Sequence, residues 1–383
     1  MSDHDPIVVC VALRTPICRA KRGAFAKTTP DHLLATVLRA VVDRSGIDAA
    51  SLGDIVVGNV LDPGGGAAMS RMAQLMAGIP HTVPLSTVNR QCSSGLQAFA
   101  SVAAAISSGL YDVGIAAGVE SMSTDDMGGV VPGVDFDAVK AHTGARDCLI
   151  PMGVTSENVA SEFGITREVQ DAFAAASHAK AASARANGWF DAEIVPVEVP
   201  EASGDGDAGT VLVSADDGIR AGTTVERLSS LRPVFKKGGS TTAGNSSQMS
   251  DGAAAVLLMR RSRAQQLGLP VLALLRSFAV VGVPPAVMGI GPAYAIPAAL
   301  RDADLSMDDV DIFEVNEAFA SQATYCADQL RIPEEKLNPK GGAIALGHPL
   351  GCTVRSFFNA KILARRAECS SLLSSLIHRE RGR

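Results

Sequence analysis

Large rings are scarce in this chain: 12 Phe, 3 Tyr and 1 Trp amount to 4% of 383 residues, against 37 Gly. Such a chain fills its interior by close approach of backbones more than by stacked aromatics. An excess of basic charge is also missing, since 34 Lys and Arg against 40 Asp and Glu leave a formal net charge of −6. That excludes a global positive field of the kind that gathers nucleic acid or an anionic membrane surface, so an anionic ligand must be met by local groups. No Cys-x-x-Cys occurs among the cysteines at 10, 18, 92, 148, 326, 352 and 369, and their number is odd. A disulfide framework and a zinc ribbon are disfavoured, no metal site is expected, and free thiols in a reducing compartment fit the count. No apolar run approaches the roughly 20 residues of a membrane helix. The longest, LPVLALLRSFAVVGV at 269–283, is interrupted by Arg276 and reads as a buried strand. The opening MSDHDPIVVC lacks a basic leader ahead of an apolar stretch, and the closing RERGR is not Ser-Lys-Leu, so no targeting signal is visible.

What is present is an alternation of strand-like and helix-like segments. IVVCVAL at 7–13 reads as a buried strand that Arg14-Thr15-Pro16 ends. PDHLLATVLRAVVDRSG follows as a helix, opened by Pro30 and Asp31 and closed by Gly46. GDIVVGNVL is a second buried strand, SRMAQLMAGI a helix, and TVPLSTVN a strand that runs into Cys92. A helix of small residues extends to Gly109, and DVGIAAGVESM is the next strand. Strands alternating with helices predict a largely parallel α/β architecture. From 122 to 248 the character changes to Gly- and Asp-rich loops around one amphipathic helix, REVQDAFAAASHAKAASARANG. SDGAAAVLLMRR at 250–261 restores the α/β pattern, and DVDIFEVNEAFASQATYCADQL echoes the strand, turn and helix around Cys92. Two similar halves separated by a loop insertion are therefore expected.

Chemistry concentrates at three places. Cys92 stands where a strand meets a helix, and Ser93, Ser94 and Gly95 leave room beside it. A helix N-terminus favours thiolate, and strand-to-helix junctions of open sheets are where ligands bind. The competing reading is a buried structural thiol. A nucleophilic thiol wants a base, and there are histidines at 4, 32, 81, 142, 178, 348 and 378. Most lie in segments that read as solvated loops or polar helix faces. His348 differs because it is held in NPKGGAIALGHPLGCT, where Gly347, Pro349 and Gly351 restrict its aim. Asn316, in NEAFA, is placed to hold a water or a carbonyl, with Glu317 to orient a neighbour; ordinary N-capping is the plainer role for that asparagine.

VNRQCSSGLQA, GVESMS, TAGNSSQMSDGAAA, NEAFA and GGAIALGHPLGC occur in the order found in the thiolase family, and over about residues 7–353 the chain resembles the peroxisomal 3-ketoacyl-CoA thiolases. The resemblance implies an α/β thiolase fold: two pseudo-repeated halves in a five-layered αβαβα core, with a loop domain that docks coenzyme A. On this chain the N-terminal half would be 1–121 with 249–269, the loop domain 122–248, and the C-terminal half 270–383. It implies an acyltransferase of fatty-acid β-oxidation that cleaves 3-ketoacyl-CoA with CoA through an acyl-cysteine intermediate, with Cys92 as nucleophile, His348 as base and oxyanion-hole donor, and Asn316 holding the water of that hole. Arg220, Phe235, Ser247 and Phe319 would contact CoA or line its pantetheine tunnel. The co-substrate is CoA with no permanently bound cofactor, the assembly a homodimer, and the place the peroxisome, or otherwise the cytoplasm. Pro151-Met152, where acetoacetyl-CoA enzymes of the family often carry histidine before Met-Gly, fits longer-chain substrates.

The family pattern stops after Cys352. Members continue to a Cys-x-Gly segment whose cysteine protonates the leaving enolate, whereas these 383 residues contain no Cys-x-Gly and read VRSFFNAKILARRAECSSLL instead. The C-terminal half is therefore expected to miss its last strands. The alternative function is a catalytically impaired thiolase-like isoform that binds acyl-CoA or dimerises without turnover.

Overall fold

The computed structural model describes residues 5–124, 133–200 and 209–355. Its centre is a seven-stranded sheet. The strands are β1 (Ile7–Arg14), β2 (Cys18–Arg19), β3 (Asp54–Gly58), β4 (Leu85–Val88), β5 (Val113–Ser121), β8 (Ser250–Arg260) and β9 (Ala273–Leu274). A separate hairpin pairs β6 (Val197–Pro200) with β7 (Thr210–Val213). The order in the large sheet is β4-β3-β5-β8-β1-β9, with β2 added to β8. β3 is parallel to both β4 and β5, while β8 runs antiparallel between β5 and β1. The sequence expectation of a largely parallel sheet thus holds for the first three strands; β8 reverses it after the insertion.

Both faces of the sheet are covered, which is why its strands read as unbroken apolar runs. Ile115, Ala117 and Val119 of β5 and Ala255, Leu257 and Met259 of β8 pack with Leu34, Val37 and Leu38 of α1 (Pro30–Ser45). The alternate residues Ala116, Ala254, Val256 and Leu258 meet Phe99, Val102 and Ile106 of another helix, Ser94–Ser107. Pro30 at its start and Gly46 at φ 66 beyond its end bound α1, as the sequence signals require.

Two strand glycines set how close the functional segments come. A Cβ on Gly58 would lie 2.4 Å from the Gly95 backbone nitrogen, and one on Gly118 would lie 2.0 Å from the Gly351 carbonyl oxygen. The helix that follows Cys92 and the loop that contains His348 both rest directly on strand backbone, a use of small residues that the composition foreshadowed.

A buried ion cluster fastens the insertion to the sheet. Arg14, 1% exposed, gives Nε to Glu193 Oε1 at 2.7 Å and both terminal nitrogens to Asp216 at 2.7 and 2.9 Å. The Phe190 ring lies 5.5 Å from its guanidinium. Removing one partner of such a cluster leaves an uncompensated buried charge. Asp216→Ala is expected to reduce unfolding free energy by about 3–5 kcal/mol, read as a lower midpoint in urea.

The C-terminal half departs from two sequence expectations. The run 269–283 is not a buried strand: only Ala273–Leu274 pair, with β1 at the sheet edge, while Leu272 and Val280 are 56% and 51% exposed. Apolar sequence buries a strand only where strands flank it and layers cover it. Nor does 310–316 form a strand; Phe313 makes a lone parallel bridge to Leu337 before the helix Ala320–Leu330. Leu300, Val310, Phe313, Val315, Ile332 and Leu337 still gather as a core cluster. The divergent stretch beyond residue 355 lies outside the described residues.

Candidate active site

Cys92 occupies a tight turn between β4 and the helix Ser94–Ser107. Asn89 Oδ1 accepts from the Gln91 N–H at 2.9 Å, and Ser94 Oγ accepts from the Arg90 N–H at 2.9 Å while donating to the Gln91 carbonyl. Gln91 is held at φ 50, a left-handed conformation costly for a residue with a Cβ, immediately before the cysteine. Cys92 is half-buried and packs against the cluster of Ala20, Met122 and Leu350, as Val60 and Leu61 do.

The electrostatics reverse one sequence expectation. A helix N-terminus was expected to lower the thiol's pKa, but burial pushes Cys92 up to about 11, with the nearby Glu120 carboxylate adding to the shift. The helix starts two residues later, at Ser94, so the dipole meets the sulfur from outside the first turn. Desolvation and a like charge outweigh it. Thiolate at this site requires a partner that removes the proton.

His348 lies on a loop that the main chain holds. Its N–H donates to the Gln248 carbonyl at 3.0 Å, and the Gln248 amide donates to the carbonyls of Gly218 and Ile344 at 3.0 and 3.2 Å. Gly347 precedes it at φ +99, and a Cβ there would lie 2.2 Å from Ser250 Oγ. The imidazole is 6% exposed, with Nε2 3.3 Å from Asn316 Nδ2. The contact joins the side chains of two segments 32 residues apart in the chain.

Asn316 is not a helix cap, since Phe319 takes that position for Ala320–Leu330. Its neighbour Glu317, 1% exposed, accepts from Ser177 Oγ at 2.6 Å, Asn338 Nδ2 at 2.8 Å and the Ile344 N–H at 3.2 Å. Burial raises this carboxyl above its ordinary range, opposed by those bonds. Glu317 thereby ties the Asn316 turn to the segment leading into His348.

Phe319, shortly after Asn316 in the chain, has Phe235 beside its ring and Ser247 bonded to the residue before it. The Phe235 and Phe319 rings stand edge to face at 6.4 Å, and the Ser247 N–H donates to the Ala318 carbonyl at 2.9 Å. Phe235 is 42% exposed, and a Cβ on Gly153 would lie 2.3 Å from its ring. Together they present an apolar surface open to solvent. Arg220 is exposed on the adjoining insertion segment, and its N–H donates to His178 Nδ1 at 3.3 Å. His178 corrects the reading of the other histidines as solvated: it is 5% exposed, and burial followed by the Arg220 charge pushes its pKa down to about 4. Sequence reasoning also missed Glu120 and Gln248, although both stand inside the quoted motifs. No group of three potential metal ligands occurs among the described residues. No helix among them is long and apolar enough to cross a membrane.

The family model "Thiolase, N-terminal domain" matches residues 7–262, and "Thiolase, C-terminal domain" matches residues 269–372. The chain is 63% identical over 347 residues to the peroxisomal 3-ketoacyl-CoA thiolase B of Rattus norvegicus, covering 91% of this chain and 81% of that protein. It superimposes on the dimeric peroxisomal thiolase of Saccharomyces cerevisiae with a TM-score of 0.88 at 45% identity, covering 94% of this chain and 91% of that one. A second structure of the peroxisomal 3-ketoacyl-CoA thiolase of that yeast, described as a five-layered A-B-A-B-A structure of two core domains of identical topology, matches at TM-score 0.77 and 40% identity. That match covers 92% of this chain and 89% of the yeast chain.

Proposed function

The chain belongs to the thiolase family, and from that membership we propose that it is a 3-ketoacyl-CoA thiolase of peroxisomal fatty-acid β-oxidation. The observation that carries the proposal is the His348 imidazole, 3.3 Å from Asn316, on a loop whose Leu350 belongs to the cluster against which Cys92 packs. His348 takes the thiol proton, and Cys92 Sγ attacks the 3-keto carbon. The new S–C bond forms as the C2–C3 bond breaks, and the acetyl-CoA enolate leaves to be protonated. CoA thiolate then attacks the acyl–Cys92 thioester, forming the shortened acyl-CoA and returning the sulfur. One oxyanion hole is assigned to donors from His348 and from a water held by Asn316. Phe235, Ser247 and Phe319 would border the pantetheine arm, and Arg220 the adenine end. CoA is a co-substrate, with no permanent cofactor, and a homodimer is the assembly, in keeping with the dimeric yeast relative. The organisation assigned is 1–121 with 249–269 for the nucleophile half, 122–248 for CoA docking and 270–383 for the half containing Asn316 and His348.

A second reading is favoured by one sequence fact: the 383 residues contain no Cys-x-Gly to protonate the enolate. On that reading the chain accepts acyl groups on Cys92 and fails at carbon–carbon cleavage. Two assays separate them. A full thiolase both becomes acetylated on Cys92 by acetyl-CoA and consumes 3-ketoacyl-CoA with CoA, followed by loss of enolate absorbance. Acetylation without cleavage selects the second reading, and absence of both overturns each.

A further inference from the structure

Glu120, at the end of β5, is a buried carboxylate that the reaction above does not use. It is 1% exposed. Oε2 accepts from the Val60 N–H at 3.1 Å and the Gly351 N–H at 2.8 Å, and Oε1 accepts from the Leu61 N–H at 3.0 Å and Asn59 Nδ2 at 3.4 Å. These donors belong to two segments far apart in sequence. One follows β3 and supplies Val60 and Leu61; the other is the His348 loop, whose Leu350 belongs to the cluster against which Val60, Leu61 and Cys92 all pack. A Cβ on Gly351 would lie 2.6 Å from the Gly58 carbonyl oxygen, so that loop has no slack against the sheet.

We propose that Glu120 is a positioning residue: its carboxylate clamps the His348 loop to the Val60–Leu61 segment, which shares a packing cluster with Cys92, and sets the electrostatic environment in which that sulfur ionises. The assignment rests on the reading of Cys92 as the acyl-accepting thiol. Four converging donors suit a carboxylate and nothing else of that size. An amide in its place would turn an NH2 toward two donors whichever way it faced.

Several titratable groups surround it. Burial, with Asp62 adding and the backbone donors opposing, pushes Glu120 up to about 7. Asp62 accepts from Asn59 Nδ2 at 2.7 Å. Cys92 lies on the turn and His348 on the clamped loop. Asp251, on neighbouring β8, is engaged by Ser121 and Ser123.

The test uses Glu120→Gln in a Cys148→Ser background, which removes the thiol that is exposed among the described residues. Acetylation of Cys92 by acetyl-CoA is expected to slow about 10²-fold, the scale of an ångström-sized misplacement. Alkylation of Cys92 by iodoacetamide, read by peptide mass spectrometry, is expected to reach half its maximum at lower pH, because a like charge has gone. A merely structural residue would slow the first without moving the second. Acetylation at the parent rate, or an alkylation curve that does not shift, overturns the assignment. Should the variant not give the parent's circular dichroism and melting curve, a Cys148→Ser, His348→Asn chain retaining Glu120 bears the test. Its alkylation rate should step near pH 7 with the imidazole absent, and one ionisation across pH 5–10 would overturn the assignment. Failure of acetyl-CoA to label the unsubstituted chain would sink the proposed function while the alkylation curves still judged Glu120.

Discussion

Cys92→Ser is expected to abolish acyl transfer, with a loss on the order of 10⁴-fold or more in the rate of acetyl-enzyme formation. The size follows from the site's electrostatics. Even the thiol is pushed up to about 11 by burial and Glu120. A hydroxyl starts from a far higher pKa and meets the same desolvation, so the anion becomes inaccessible to an imidazole base. The substitution removes one heavy-atom identity and leaves the turn intact, because the bonds that shape it come from Asn89, Arg90, Gln91 and Ser94. Folding should therefore be preserved. The measurement is mass-spectrometric detection of the acetylated tryptic peptide after incubation with acetyl-CoA. Iodoacetamide is a poorer probe unless read site by site, because Cys148 is exposed and competes for it. Acetylation of another cysteine in the variant at the parent rate would remove Cys92 from the mechanism.

His348→Asn is expected to slow acylation of Cys92 by ~10²–10⁴-fold at neutral pH. The variant keeps a planar polar side chain and loses the group proposed to accept the thiol proton. The loop itself should hold, because its main chain makes the anchoring contacts: the residue 348 N–H to Gln248 and the Gly351 N–H to Glu120. The pH dependence carries the diagnosis. Without a base the reaction depends on spontaneous thiolate, so the variant's rate should climb about tenfold per pH unit on either side of a shoulder near pH 7, where Glu120 ionises, while pH stays below the raised thiol pKa. The parent, with its proton acceptor in place, should level off at lower pH. Parallel profiles would show that the imidazole does not take the thiol proton.

The correspondence between sequence and structure is uneven in a way physics explains. The strands β1, β3 and β5 were legible because a sheet covered on both faces demands apolar side chains at every position, and the chain supplies them. The α1 boundaries were legible because proline and glycine act on the backbone of their own neighbourhood. The strand assigned to 269–283 failed for the opposite reason: its composition is strand-like, yet burial depends on neighbours elsewhere in the chain, and Leu272 remains 56% exposed. His178 was misjudged likewise, since nothing in its helix announces that the insertion segment at Arg220 covers it.

By itself the sequence determined the first sheet, the family, and the seam at which a cysteine follows a strand and precedes a helix. Those depend on periodicity and on motifs written in contiguous residues. Only the tertiary structure decided that Asn316 meets His348 at 3.3 Å, that the thiol at 92 is made harder to ionise, and that Glu120 grips Gly351 across 231 positions of chain. Desolvation and charge proximity belong to the volume around a group, and distant segments fill that volume only once the chain has folded.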